Sequence, residues 1–192
     1  MDIRRSERRR WTRRPRRRAN RSGLRRRLLL AGAAAVVAFG LTSALWIVWP
    51  QTSGPERADA IVVLSGSGPR EAHGLALASE GYAPVVLFSL GALPTMPCPE
   101  RAGVRVVCFV PDPVDTRGEA ELASRYALAH HWNRLLIVPG RFQATRAALL
   151  FHRCYTGTIF LSPASQALGS APYLFLYQWG ALLKAALVVR SC

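Results

Sequence analysis

The chain is 192 residues long, half of them hydrophobic, and carries a formal net charge of +15. That length holds one domain with additions rather than several domains. The charge does not mark a basic globular domain, because residues 1–27 hold 14 of the 26 basic residues against only Asp2 and Glu7.

Residues 1–27 read as a disordered, topology-setting cytoplasmic tail. A lipid- or nucleic-acid-binding role for it is the competing reading. Trp11 is its only aromatic residue, so the tail offers no platform on which bases could stack, and nucleic acid is disfavoured as a partner. Lys184 is the only lysine in the chain. The Ala-, Gly-, Pro- and Arg-rich composition is that of a GC-rich genome, which weakens arginine as a functional signal.

Residues 28–49 contain no charge. As a helix they would extend roughly 33 Å, enough for a hydrocarbon core of about 30 Å. Trp46 and Trp49 stand at one end, and Arg25, Arg26 and Arg27 flank the other. The pattern predicts a single transmembrane helix in the plasma membrane, with the N-terminus cytoplasmic and the remainder extracytoplasmic. A cleaved signal peptide would need a small-residue site, for which Thr42-Ser43-Ala44 is a poor candidate. Arg25 to Leu29 faintly resembles a twin-arginine export signal. Residues 50–58 are a polar linker.

Beyond the linker, apolar runs alternate with helical patterns. Asp59–Leu64 reads as a buried strand. A helix starts at Pro69, a residue favoured in a first turn, and runs to about Glu80. Pro84–Leu90 and Val104–Val110 are the next strands. A helix from Asp115 to about His131 follows, with Thr116 and Glu119 spaced as a capping box. Arg134–Val138 is the fourth strand, a helix covers about Phe142 to His152, and Thr158–Leu161 is a short fifth strand. Residues 171–189 form a last helix, whose apolar face Gln178 and Lys184 interrupt. A lysine at the centre of a second span would be costly in lipid. Continuous apolar strands alternating with helices predict an α/β fold: a Rossmann-like, mostly parallel sheet with helices on both faces, over residues 59–192.

All four cysteines follow the uncharged run, in the compartment expected to be oxidising. None are spaced as CxxC, so no zinc or thioredoxin-like motif is present. Of the three possible pairings, Cys98–Cys108 and Cys154–Cys192 are favoured. The first closes a Pro-rich loop, and the second fastens the last residue to a helix end.

In open α/β sheets ligands bind beyond the carboxyl ends of the strands. Four polar segments fall there: Ser65-Gly66-Ser67-Gly68 with Arg70; Ser89 with Gly91; Thr116 with Glu119; and Gly140-Arg141-Phe142-Gln143 with Arg146. Glycines admit backbone amides to an anion, and arginines add charge-assisted bonds. The convergence predicts a pocket for a phosphorylated or nucleotide-like small molecule. The four histidines lie in or at the end of helices without a nucleophile or ligand cluster. No metal site and no cofactor is indicated, which leaves Glu119 as the candidate general base.

These segments, taken in order, resemble the YdcF-like (ElyC/SanA/YdcF) family. The matching positions are Asp59–Gly66, Arg70, Gly81, Ser89 with Gly91, Thr116–Ala120, and Phe142 through Arg146-Ala147. The resemblance covers about residues 57–190. It implies a Rossmann-like, often membrane-anchored protein of bacterial envelope and peptidoglycan-precursor metabolism, with a nucleotide-like or lipid-linked ligand. Asp59, Gly66, Arg70, Thr116, Glu119 and Arg146 are carried over as identities. The departures are Ser65 for a glycine, Pro139-Gly140 for Thr-Ser, Gln143 for a histidine and Gln178 for a glutamate. Gln143 cannot titrate as histidine would. Two functions stay open: an envelope enzyme of hydrolase or transferase type, and a binding or scaffold protein that has lost catalysis.

Overall fold

The computed structural model describes residues 21–48, 52–66, 69–166, 171–188 and 192. The tail to residue 20, Trp49, Ser67 and Gly68 lie outside them. The chain divides into two units, 1–40 and 41–192.

Helix α1, Arg21–Val48, runs through the uncharged stretch, and Leu28, Leu29, Leu30 and Phe39 on it are exposed. The transmembrane expectation is met only in part. The segment is helical, yet among the described residues no helix is long and apolar enough to cross a membrane. Alanine and glycine fill much of the run, and four arginines share the helix.

The expected order of elements after the linker is observed. Strands β1 (Ala60–Val63), β2 (Val85–Ser89), β3 (Arg105–Phe109), β4 (Arg134–Val138) and β5 (Thr158–Leu161) alternate with helices α2 (Arg70–Ser79), α3 (Thr116–Ala129), α4 (Ala144–Cys154) and α5 (Ala171–Leu187). A 3-10 turn, Arg141–Gln143, precedes α4. The strands form one sheet in the order β3-β2-β1-β4-β5, and every pairing is parallel. The register fixes Ile61 beside Val86 on one side and Leu136 on the other.

Alternation along β1 explains why both faces are covered. Ala60, Val62 and Leu64 point into one apolar core, which α3, α4 and α5 close with Ala120, Ala123, Ala127, Leu150, Phe151 and Ala185. Ile61 and Val63 point into the other, closed by Leu77 and Ala78 of α2. Each fully buried Ile, Leu or Phe contributes about 1.5–3 kcal/mol of transfer free energy. The alanines on α3 let that helix lie close to the sheet. On the other face Gly74 does the same for α2, since a Cβ there would run into Val63 Cγ2.

Both favoured disulfides are present. Cys98–Cys108 ties the Pro-rich loop to β3. Cys154–Cys192 links the end of α4 to the final residue across a sequence separation of 38. Asp59 has a structural task at the opposite edge from the predicted pocket. Its Oδ2 accepts from the backbone N–H groups of Asn133, at 2.7 Å, and Arg134, at 2.9 Å, so it aligns the starts of β1 and β4.

Candidate functional site

The chain leaves β1 and β4, neighbours in the sheet, in opposite directions: β1 leads towards β2 and β4 towards β5. The loops therefore part above the carboxyl ends of these two strands and leave a crevice. Ser65 and Gly66 end β1, and Arg70 opens α2. Thr116 and Glu119 come from the first turn of α3. Gln143 and Arg146 come from the segment after β4. All seven line one cleft of about 280 Å³.

Arg70 is the keystone. Its side chain is buried and Nη1 donates to the carbonyl oxygens of Ser65 and, at 3.5 Å, Leu64. This clamps the end of β1. Two glycines make the room: a Cβ on Gly66 would lie 2.5 Å from Nη1, and one on Gly140 2.5 Å from Nη2. Gly66 also has φ +123°, a conformation that side chains with a Cβ avoid. Gly91 stands behind Ser65, where a Cβ would lie 2.7 Å from the serine's own. Its N–H donates to Ser89 Oγ at 3.4 Å. Ser89, Gly91 and Gly140 thus back the cleft without lining it. Arg141 does not line it either.

The capping box expected at Thr116 and Glu119 is not formed. Asp115 is the N-cap of α3, accepting from the N–H groups of Arg117 and Gly118 at 2.8 and 3.1 Å. The shift of one residue makes Thr116 the first helical residue and puts Glu119 in the fourth position, turned inward. Its Oε1 accepts from the Ser65 N–H at 2.7 Å, which joins the start of α3 to the end of β1. Burial pushes the Glu119 carboxyl above its ordinary pKa. The Ser65 N–H, the Ser65 and Ser89 hydroxyls and the Arg70 charge oppose that rise.

Gln143 Nε2 donates to Thr116 Oγ1 at 2.7 Å, so the amide is pinned with its oxygen turned away. Arg146 Nε donates to Gln178 Oε1 at 3.2 Å. Burial lowers the pKa of both Arg70 and Arg146, but a guanidinium remains a cation in a protein. Among the described residues three buried side-chain polar atoms lack a hydrogen-bond partner: Arg70 Nε, Glu119 Oε2 and Gln143 Oε1. All three belong to this cleft.

Sequence reasoning missed Val114, Asp115, Gln166 and Tyr177 as cleft residues. For Asp115 the signal was available, since Asp is a favoured N-cap. Gln178, the polar break in the apolar last helix, is buried against Arg146. Gln166, in an unpatterned loop, gave no signal. The histidines stay outside the cleft. His73 Nε2 meets Ser162 Oγ at 2.9 Å, tying α2 to the segment after β5, and His130 stacks on Trp132. Among the described residues no cluster of His, Cys, Asp and Glu could hold a metal ion.

Fold and cleft together define a Rossmann-like α/β protein with a polar crevice at the switch point of its sheet. No family model, no curated protein and no solved structure matches the chain.

Proposed function

We propose that the cleft binds a phosphorylated small molecule, and that the protein serves cell-envelope metabolism as a membrane-anchored member of the YdcF-like group. One observation carries the binding reading: the three unpartnered buried polar atoms all belong to the same crevice. Leaving a buried polar group without a partner costs about 1–3 kcal/mol, and native proteins keep such groups few. A ligand with an anionic group and one hydroxyl would satisfy two of the three. The anion takes Arg70 Nε and the charge of Arg146, and the hydroxyl donates to Glu119 Oε2 or Gln143 Oε1.

Glu119 is the group suited to move a proton. Burial biases it toward the protonated form, in which it would give a proton to a leaving oxygen; the base role needs the carboxylate, which the Ser65 N–H and the Arg70 charge favour. The second reading is a binding protein without turnover. The pinned Gln143 favours it, because an amide stands where the resembling family has a titratable histidine.

The envelope role rests on the ordered motifs from Asp59 to Arg146. The anchor rests on 21 uncharged residues in α1, about 31 Å of helix, with arginines before them. Among the described residues no helix is long and apolar enough to cross a membrane, so the anchor is argued from the charge pattern of the sequence alone.

The test is a thermal melt of the full chain with glucose phosphate or a nucleoside monophosphate. At 100 times Kd the ligand should stabilise the fold by about 2.7 kcal/mol. Arg146→Ala and Gly140→Ala should each weaken binding by tenfold or more, about 1.4 kcal/mol. Release of phosphate alongside the shift selects the enzyme, and a shift without release selects the binding protein. No shift with any phosphomonoester contradicts the cleft reading.

A further inference from the structure

Helix α5 has two unlike sides. Gln178 and Ala185 are buried, and Trp179, Ala181 and Leu182 are half-buried. This side meets α4, through Gln178 on Arg146 and the Ala185 carbonyl on Arg153. The other side is open. Tyr173, Leu176, Gly180, Leu183 and Leu187 recur at intervals of three and four residues, the spacing of one helix face. Tyr173 is 72% exposed, Leu176 71%, Leu183 48% and Leu187 62%. The row runs about 21 Å along the helix. Single exposed apolar side chains are ordinary on a protein surface, but a contiguous row of them marks an interaction site.

The charge around the row indicates what covers it. Residues 122–192 hold seven basic residues and no acidic one, whereas residues 50–121 hold five basic against nine acidic. Part of that positive charge lies along α5. Lys184 is exposed on the helix itself, and the guanidinium groups of Arg146 and Arg153 hydrogen-bond to its buried side. An apolar helix face beside cations is the build of a helix that lies in a membrane interface. Tyrosine rings suit the headgroup level, where Tyr173 would stand. The Lys184 stem can follow apolar surface while its ammonium stays among the headgroups. A second copy of the chain fits less well, because it would set one half without acids against another.

We infer that the open face of α5 docks flat on an anionic lipid bilayer, with Tyr173, Leu176, Leu183 and Leu187 at the headgroup boundary and Lys184 among the lipid phosphates. The contact is separate from the anchor proposed for α1, and it sets which side of the α/β domain faces lipid.

The test is hydroxyl-radical footprinting of the full chain in vesicles, read by mass spectrometry at α5. Vesicles of phosphatidylcholine with phosphatidylglycerol are compared with vesicles of phosphatidylcholine alone. Labelling of Tyr173, Leu176, Leu183 and Leu187 should be at least about threefold lower on the anionic vesicles. Leu93, exposed in the loop after β2, should label equally on both. Leu176→Glu combined with Leu183→Glu puts two carboxylates on the face, and labelling of Tyr173 and Leu187 should then be equal on both vesicles. Melting of the double variant shows that it folds.

Equal labelling of the native chain on the two vesicles overturns the inference. A difference that survives the double variant overturns the placement of the contact on this face. Protection that depends on the number of chains per vesicle and not on lipid charge assigns the face to a second copy, and overturns the lipid partner. Because the label is read at α5, none of these results turns on whether α1 crosses the bilayer or on what the cleft binds.

Discussion

Arg70 shows how much of the site depends on single atoms. Its guanidinium binds two carbonyls at the end of β1, so the residue that holds the strand end is also one that lines the cleft. Gly66 and Gly140 exist as glycines because that guanidinium occupies the space of their side chains. Glu119 carries the clearest pH consequence. Its carboxyl keeps a proton more readily in the folded chain than in the unfolded one. Its contribution to stability is therefore full below the ordinary value of 4.5 and is lost as pH rises through the raised folded value. Glu119→Gln removes this titration and keeps an oxygen for the Ser65 N–H. The melting temperature of the variant minus that of the native chain should rise between about pH 4 and about pH 8. A difference constant across that range contradicts the burial argument. The raised pKa of Glu119 had no signature in the sequence. It comes from burial against β1, a contact 54 positions away in the chain.

At the scale of elements, the first turn of α3 is decisive. The run Asp115-Thr116-Arg117-Gly118-Glu119 fits two capping registers, one starting on Thr116 and one on Asp115. The structure uses Asp115, which frees Glu119 to reach Ser65. Gly118 is held against the preceding loop, since a Cβ would collide with the Pro113 carbonyl. Asp115→Ala should cost about 1 kcal/mol of stability without ligand, whereas Glu119→Gln at acid pH should cost little. Equivalent losses in chemical denaturation would return the cap to Glu119. The strands were legible because a parallel sheet buried on both faces needs unbroken apolar runs, and β4 and β5 fall where their runs predict. The register of the α3 cap was not legible, because both candidate caps are good ones and only packing against β1 decides. The place of Tyr177 was hidden for a related reason. An α5 that is apolar almost all round does not announce which side meets α4.

At the scale of the whole molecule, the disulfides and the N-terminal helix belong to one account. Both bridges form as the spacing suggested, and among the described residues no cysteine is free. Oxidised cysteines accord with a domain outside the cytoplasm, where an anchor in α1 would place it. The full chain should stay with membranes through alkaline carbonate washing, and protease added from outside should digest the α/β domain. Release by carbonate, or a domain protected until the membrane is opened, contradicts the anchored topology. The polar cleft itself was only partly legible. Seven of its residues fall on the strand-end loops and first helical turns that any parallel α/β sheet brings together. Arg141 sits in the same loop as Gln143 but faces elsewhere, since a 3-10 turn separates their directions.

The central claim is that the unpartnered atoms of the cleft await one ligand. Crystals of the full chain soaked with glucose phosphate test it most directly. The account predicts density for the ester within hydrogen-bond distance of Arg70 Nε, with its hydroxyl on Glu119 Oε2 or Gln143 Oε1. A cleft that stays filled by water alone at saturating ester, with the phosphate bound elsewhere or nowhere, would contradict it.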